Sequence, residues 1–514
     1  MNSLGRLASR LRAVAHGNPI AALAGQTFVY GLSSILGRLL NYLLVPLYTR
    51  VFMPGEYGVV TELYAYVSFL SVIFTYGMET AFFRYASRHD WPDRVYTTAL
   101  SALVASSVAF SSLLVVAARP IAALLKYEGH EEYIIWLALI LGLDAVAALP
   151  FARLRQQGRA ARFAAVRLAG IGVNICLNLL FLVVLPGVAH RAPRLLDGPL
   201  LQALYRPEIG VGYVFIANLI ASLVTLLLLS RELLRIRGGF DGALLRGMLR
   251  YGLPILVAGL AGMVNETIDR ILLKFLLPLP LAERMRQIGI YGACYKLSII
   301  MTLFIQAFRM AAEPFFFERA RARDAPRTYA AVMNGFVLAC SAIYLLMMMY
   351  MDIVKLFIGP RFHDGLAVVP VLLLANLCLG VYYNLSIWYK LADRTLAGAY
   401  IALGGALITI LLNLWWIPTM GYMGAALATL GCYASMMVAS FLLGQRVYPV
   451  PYEVARLAWY VGAALAGHAA SALVWGRWPD APVAARCGLN TIIVIACAAA
   501  VLLFERRRRP RLRA

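Results

Sequence analysis

The sequence has few charged residues and lacks the long polar segments that a soluble domain needs. Charged residues make up 14% of the 514 positions and apolar residues 62%, whereas soluble domains contain about 25% charged residues. The seven cysteines and six histidines are scattered singly along the chain, so no disulfide framework, zinc site or metal-dependent motif is indicated. A soluble catalytic domain, a metal and an organic cofactor are therefore not expected.

Long apolar runs dominate instead, and a membrane-spanning helix needs about 20 apolar residues. Leucines at helical spacing with arginines on other faces predict a cytoplasmic amphipathic segment over 1–26. The apolar pattern then predicts an all-α polytopic membrane protein with 14 transmembrane helices. The predicted spans are 27–49, 57–80, 95–118, 133–151, 163–185, 210–230, 252–275, 289–312, 328–351, 366–389, 395–417, 421–444, 454–475 and 487–504.

The net charge of +22 would suggest a nucleic-acid partner in a soluble protein. Here the positive residues cluster in alternate loops, such as 152–162, 231–251 and 313–327, and in the tail 505–514. Cytoplasmic loops of membrane proteins carry such an excess of Lys and Arg. We therefore expect both termini in the cytoplasm, a multi-pass location in the plasma membrane, and no nucleic-acid partner.

The two halves of the chain align at a nearly constant offset of 231 to 235 residues, which indicates an internal duplication. The matched pairs are Gly58 with Gly289, Tyr64 with Tyr295, Glu79 with Glu313, Arg159 with Arg394, and Asn178 with Asn413. We predict an N-lobe at 27–240, a C-lobe at 241–445, and a third segment at 446–514 with spans 13 and 14 and a basic tail. Because six is an even number, both copies would start on the same side of the membrane and form parallel repeats. Such repeats predict alternating access, in which a central cavity opens to each side in turn.

Ionisable residues within predicted spans are costly and usually functional. Arg38 shares a helix face with Asn41 and Tyr42, while Arg270 and Lys296 lie in spans 7 and 8. Such cations favour an anionic substrate, such as a diphosphate head group. An ordinary i, i+4 pair of Arg270 with Glu266 remains an alternative. The other two buried cations, Arg167 and Arg309, lie near span ends, where long side chains reach the interface.

Acidic residues in the spans are candidates for coupling transport to H⁺ or Na⁺. Asp269 and Asn265 are one helical turn apart, and their oxygens could share an ion. Glu266 lies beside them, and Asp144 in span 4 is a second candidate. The alternative is that Asp269 and Asp144 pair with cations on other helices.

Three motifs resemble those of bacterial polysaccharide and O-antigen flippases of the Wzx type. These belong to the superfamily of multidrug, oligosaccharidyl-lipid and polysaccharide exporters. The first motif is Pro-Leu-Tyr-Thr-Arg-Val-Phe at 46–52 with Pro54, Glu56, Tyr57 and Gly58. The second is Leu-Asn-Leu-Trp-Trp-Ile-Pro at 412–418 with Gly421 and Gly-Ala-Ala-Leu-Ala-Thr at 424–429, and the third is Asp269-Arg270 after Pro254.

The resemblance covers essentially the whole chain and implies a flippase rather than an enzyme. It implies transfer of an undecaprenyl-diphosphate-linked oligosaccharide across the bacterial inner membrane, for lipopolysaccharide or another surface polysaccharide. Its expected partners are membrane lipids, a polysaccharide polymerase and glycosyltransferases. By position, Arg38, Arg270 and Lys296 would line a cationic central cavity, and Asp269 would couple transport to H⁺ or Na⁺.

The chain departs from the lipid II branch of the superfamily because span 2 offers Glu62 rather than a cation. A lipid II-type flippase and a multidrug or cation antiporter of the same superfamily remain alternatives. A membrane glycosyltransferase or polymerase is disfavoured by the short loops. A non-transporting scaffold for the polysaccharide machinery is a further alternative, although it has no need of paired buried cations.

Overall fold

The structure is a computed structural model that describes residues 39–508, apart from 41, 89–90, 192–204, 235–237, 321 and 479–480. The regular secondary structure of these residues is entirely helical. The predicted amphipathic segment 1–26, most of the first predicted span, and the candidate residues Arg38 and Asn41 lie outside the described residues.

The described helices follow one another with short connections. In chain order they are α1 Leu44–Val51, α2 Pro54–Thr75, α3 Met78–Ala86, α4 Pro92–Val116, α5 Ala118–Leu124, α6 Glu131–Gln156, α7 Ala160–Leu179, α8 Leu185–Arg191, α9 Gly212–Leu228, α10 Ser230–Leu234, α11 Gly242–Leu276, α12 Leu281–Leu297, α13 Ile299–Arg319, α14 Ala325–Met349, α15 Met351–Val354, α16 Val369–Leu385, α17 Ile387–Leu391, α18 Thr395–Met420, α19 Tyr422–Val447, α20 Val454–Arg477 and α21 Val483–Arg508. A π-helical segment, Leu180–Val184, joins α7 to α8, and 3-10 segments lie at Pro207–Ile209, Lys355–Phe357 and Pro360–Val368.

Twelve helical stretches of the described chain are long and apolar enough to cross a membrane, and the shorter apolar helix α9 lies at the sixth predicted span. Predicted spans 2 to 14 therefore all coincide with helices, and the fold class is confirmed. The bounds differ where polar residues extend a helix. For example, α11 has 35 residues, because its first turns, with the exposed Arg246 and Arg250, continue the helix beyond the apolar window 252–275.

The described chain forms two compact units. The first unit contains Glu62–Met263 and the described residues up to Leu47, and the second contains Tyr48–Thr61 and the chain from Val264 onward. Helix α2 thus begins in the second unit and continues in the first, and α11 passes from the first into the second.

The end of α6 in the first unit has the same backbone geometry as the end of α17 in the second. At both ends a residue with positive φ follows the helix, Gly158 at 67° and Asp393 at 53°. The amide of Arg159 donates to the carbonyl oxygen of Leu154 at 2.9 Å, and that of Arg394 to Tyr389 at 2.8 Å. The acceptor, the residue with positive φ and the donor are each separated from their match in the other unit by 235 residues. Each cap satisfies carbonyl groups that a helix end leaves unpaired.

Side-chain contacts recur between the two units at offsets of 233 to 235 residues. A glutamate pairs with a cation in each unit: Glu79 with Arg155, and Glu313 with Lys390. A phenylalanine and a tyrosine meet edge to face in each unit, with centroids 5.9 Å apart for Phe82–Tyr96 and 5.1 Å apart for Phe316–Tyr329. A buried asparagine bonds the carbonyl oxygen one turn earlier on its own helix in each unit, Asn178 and Asn413. The two units therefore share local contacts as well as span order.

Two glycines allow helices α2 and α12 to touch backbone to backbone inside the second unit. A Cβ atom on Gly58 would lie 2.1 Å from the carbonyl oxygen of Met285, and one on Gly289 would lie 1.8 Å from that of Pro54. The contact is reciprocal at a single offset of 231, because Pro54 matches Met285 as Gly58 matches Gly289. Such an exchange of equivalent contacts is what a two-fold relation between repeated elements produces.

Part of the positive charge in the predicted cytoplasmic loops is held in ion pairs of the first unit. Glu232, on α10, is buried and binds Nε of Arg162 at 2.8 Å and Nη1 of Arg159 at 3.4 Å. Arg153 binds Asp93 at 2.6 Å and lies over the ring of Tyr96. These arginines fix the ends of the helices to one another.

Replacing Gly289 with alanine should destabilise the protein, because the added methyl group has no space against the carbonyl of Pro54. Overpacking of this kind costs about 1–3 kcal/mol, which heat treatment of the detergent-purified protein followed by size-exclusion chromatography would detect. Gly404→Ala is the control, since a Cβ atom at Gly404 meets no heavy atom within 4 Å. Equal behaviour of the two variants would contradict the close crossing.

Candidate functional site

The end of α11 and the end of α12 bring an aspartate, an arginine and two tyrosines together inside the second unit. The hydroxyl of Tyr291 donates to Oδ2 of Asp269 at 2.5 Å. The backbone amide of Arg270 donates to Oδ1 of the same carboxylate at 2.8 Å. Asp269 and Tyr291 are both buried. Both oxygens of the carboxylate are therefore used within the protein.

The Arg270 side chain is held from three sides. Its Nη1 lies 3.5 Å from Oδ1 of Asp269 and donates to the backbone carbonyl of Glu266 at 2.8 Å. Its guanidinium lies over the ring of Tyr295, 4.2 Å from the centroid, where the π-face attracts a cation. A guanidinium carries five N–H donors, and these contacts hold it in place inside the second unit.

Lys296 follows Tyr295 directly on α12 and places a second cation beside this group. Its ammonium interacts repulsively with Arg270 and attractively with Glu266. Within the described part of the chain, it has no carboxylate at ion-pair distance. Glu266 itself is exposed, and the ion pair of Arg270 is with Asp269 rather than with the Glu266 carboxylate. The site thus holds two cations close together with Asp269 as the buried counter-charge.

Asn265 lies one turn before Asp269 but belongs to a different set of contacts. Its side-chain nitrogen donates to the carbonyl of Ala402 at 3.1 Å, and its oxygen accepts from the hydroxyl of Thr409 at 3.2 Å. Tyr433 donates to the backbone carbonyl of Asn265 at 3.3 Å. Helices α18 and α19 therefore hold Asn265, whereas α12 holds Asp269. Asn265 and Asp269 thus bond to different neighbouring helices.

The remaining described candidates lie in the first unit. Asp144, on α6, has an exposed side chain close to the hydroxyl of Ser222 and to Arg167. One turn before Ser222, the side-chain amide of Asn218 donates to the hydroxyl of Tyr64 at 2.9 Å. Tyr42 is partly buried just before α1.

Two buried charged residues were missed as site candidates by the sequence analysis. Lys274 is fully buried near the end of α11, although its place at the edge of a predicted span suggested a loop cation. Glu62 is also fully buried, and Tyr127 donates to its Oε2 at 2.5 Å. The sequence signal for Lys274 was its position inside the predicted span 252–275, and nothing in the sequence linked Tyr127 to Glu62.

The helical fold, its repeated local contacts and the charges buried in its spans define a polytopic, all-helical membrane protein. The sequence model of the family described as "Polysaccharide biosynthesis protein" matches residues 23–319, more than half of the chain. The protein belongs to this family. No curated protein sequence matches the chain significantly.

Solved structures share the fold. The lipid II flippase MurJ in an inward closed conformation superposes with a TM-score of 0.70 at 11% identity, covering 93% of this chain and 99% of that one. An inward-facing multidrug resistance MATE transporter of the MOP superfamily gives 0.61 at 14% identity, covering 82% and 94%. A MATE protein in the straight conformation gives 0.56 at 15%, covering 84% and 96%. The family model thus confirms the polysaccharide biosynthesis family, and the solved structures confirm the fold.

Removing the hydroxyl of Tyr291 should destabilise the second unit, because Tyr291→Phe leaves the buried carboxylate of Asp269 with one donor fewer. Loss of a hydrogen bond to a buried charged group costs about 1–3 kcal/mol, measurable by thermal unfolding in detergent. Tyr400→Phe is the matched control, since the side chain of Tyr400 is 70% exposed. If both variants unfold at the wild-type temperature, the Tyr291–Asp269 bond contributes nothing to stability.

Proposed function

We propose that this protein is a flippase that moves undecaprenyl-diphosphate-linked oligosaccharides from the cytoplasmic to the outer leaflet of the bacterial inner membrane. The cargo would supply lipopolysaccharide O-antigen or another surface polysaccharide. Membership of the polysaccharide biosynthesis family and a fold shared with a lipid II flippase support the proposal. The alternating placement of Lys and Arg supports cytoplasmic termini.

The observation that carries the proposal is the pair of cations in the second unit, Arg270 and Lys296. A diphosphate offers several charged oxygens, and a guanidinium binds such oxygens in pairs. Lys296 supplies a second point charge next to it, and the sequence adds Arg38 in the first span. Alternating access is the mechanism that the duplicated spans favour. A cationic site of this kind also disfavours organic cations as substrates, and with them the antiporter alternative.

Asp269 is the proposed coupling residue. Its carboxylate is the counter-charge of Arg270, so it competes with a bound diphosphate for the same guanidinium. Binding of H⁺ to Asp269, or of Na⁺ near it, would weaken its hold on Arg270 and change the affinity for the anion. The inside-negative potential favours outward movement of an anion by about 2.3 kcal/mol per charge per 100 mV. The coupling ion would then assist the return of the empty site.

Arg270→Gln and Lys296→Gln should each reduce delivery of lipid-linked sugar to the outer leaflet. Loss of a charge-assisted hydrogen bond costs about 1.5–3 kcal/mol, which corresponds to about ten- to a hundredfold weaker binding. Delivery is measured with a membrane-impermeant sugar-labelling reagent on proteoliposomes that contain a lipid-linked oligosaccharide. Arg250→Gln is the control, since it removes an exposed cation from the same helix as Arg270. Full delivery by both site variants at normal protein levels would refute the cationic site.

Asp269→Asn should remove the dependence of transport on an ion gradient, because the amide neither takes up a proton nor carries a charge. The measurement compares delivery with and without an imposed proton or sodium gradient, in the variant and in the wild type. Tyr291→Phe is the comparison variant, since it keeps the carboxylate and should retain gradient dependence. Asp269 is not the coupling residue if its asparagine variant still responds to the gradient.

A further inference from the structure

A second charged cleft lies inside the second unit, between α13 and the junction of α16 and α17. It is narrow, with a cavity volume of about 20 Å³, and it opens outward; its lining includes Arg309, Glu313, Asn384 and Lys390. Glu313 lies near the end of α13, and Lys390 lies near the end of α17. The cleft is therefore near one end of the membrane-spanning helices, the end predicted to be cytoplasmic.

The charges of the cleft are incompletely balanced. Lys390 donates to Oε1 of Glu313 at 2.5 Å, whereas Nε of Arg309 lies 3.7 Å from Oε2. The guanidinium of Arg309 also lies over the ring of Tyr383, 4.8 Å from its centroid. One carboxylate thus serves two cations. The side chain of Arg309 is 50% exposed, which gives a ligand a route to it.

Asn384 adds an independent sign of a ligand. The residue is 5% exposed, and it lines the cleft. Its Nδ2 is buried and has no hydrogen-bond partner among the described residues. A buried amide without an acceptor costs about 1–3 kcal/mol, so an acceptor bound in the cleft would remove this cost.

The first unit provides an internal comparison, because it repeats the ion pair of the cleft without the buried asparagine. Glu79 and Arg155 match Glu313 and Lys390, and they form the same ion pair. At the offset that relates Arg155 to Lys390, the position of Asn384 is taken by Leu149. Leu149 is fully buried in an apolar cluster with Phe82. The repeat that lacks the asparagine is packed shut at this point, so the ion pair alone does not require a polar cleft.

We propose that the cleft formed by Arg309, Asn384 and Lys390 binds a phosphate group, as a site additional to the one at Arg270 and Lys296. The guanidinium and amide donors match an oxyanion with several acceptor oxygens, and the excess cation favours a negative charge. The phosphate belongs either to an anionic lipid head group or to a water-soluble phosphate. Basic pockets between membrane helices on the cytoplasmic side are suited to such head groups.

The test uses the purified full-length protein and two probes. Inorganic pyrophosphate is titrated by calorimetry into the protein in neutral detergent, and native mass spectrometry counts phosphatidylglycerol retained from nanodiscs of mixed composition. We expect Asn384→Leu and Arg309→Gln to weaken binding of at least one probe by about tenfold or more. Arg155→Gln, which changes the matching cation of the first unit, should bind as the wild type does. If the cleft variants lose pyrophosphate binding, the ligand of the cleft is a soluble phosphate. If they lose retained phosphatidylglycerol, the ligand is a lipid head group.

The same pair of variants is then measured on a Lys296→Gln background. If the tenfold loss persists there, the cleft binds phosphate separately from the proposed transport site. If the loss disappears on that background, the ligand belongs to the transport site and the proposal is wrong. Absence of binding of both probes to the wild type, or unchanged binding by both cleft variants, also overturns it. Arg309 is half exposed, so its variant stays informative even if Asn384→Leu folds poorly.

Discussion

A charge buried among membrane-spanning helices must be compensated by groups of the protein itself, because the surrounding lipid supplies none. In the second unit this requirement explains why an aspartate, an arginine and two tyrosines meet. Asp269 is held by the Tyr291 hydroxyl and the Arg270 amide, and Arg270 in turn lies against Tyr295. Lys296 stands beside the group, attracted by Glu266 but with no carboxylate at ion-pair distance among the described residues. An anionic ligand would supply the close partner that this cation lacks.

The two repeated units show which parts of the ancestral helix set tolerate change. The helix caps after α6 and α17, the glutamate–cation pairs and the phenylalanine–tyrosine pairs are the same in both. These contacts fix helix ends and leave little freedom. The polar side chains between the helices differ between the two units. The first unit has Glu62 with Tyr127 and Asp144 near Ser222, whereas the second has Asp269 with Arg270. Among these contacts, those at the helix ends recur in both units, whereas the buried carboxylates have different partners.

Hydropathy was sufficient to predict the membrane spans because each apolar run is separated from the next by a polar or charged segment. It could not predict the polar start of α11 or the break at Ser298 between α12 and α13, since neither changes the mean apolar character of the window. The duplication was visible because equivalent residues retain the same spacing. Lys274 was missed because a charged residue at the edge of an apolar run looks like a loop residue.

The pairing of polar side chains could not be read from the sequence at all. Asp269 and Asn265 are one turn apart on the same helix, so the sequence suggested one shared ligand. The structure assigns Asn265 to Thr409 and Asp269 to Tyr291, partners that are distant in sequence in the first case and on the next helix in the second. Spacing along one helix defines a face, but the packing of neighbouring helices decides which donor reaches each oxygen.

The crossing of α2 and α12 at Gly58 and Gly289 has a further consequence for how this fold changes in evolution. The contact is between backbones, so no exchange of one side chain for another can loosen or tighten it, and no compensating substitution on the partner helix creates room for a Cβ atom. The two positions are therefore bound to keep the same residue type while the helices around them diverge. We therefore expect both positions to remain glycine in relatives of low similarity, where the crossing would fix the register of the two helices.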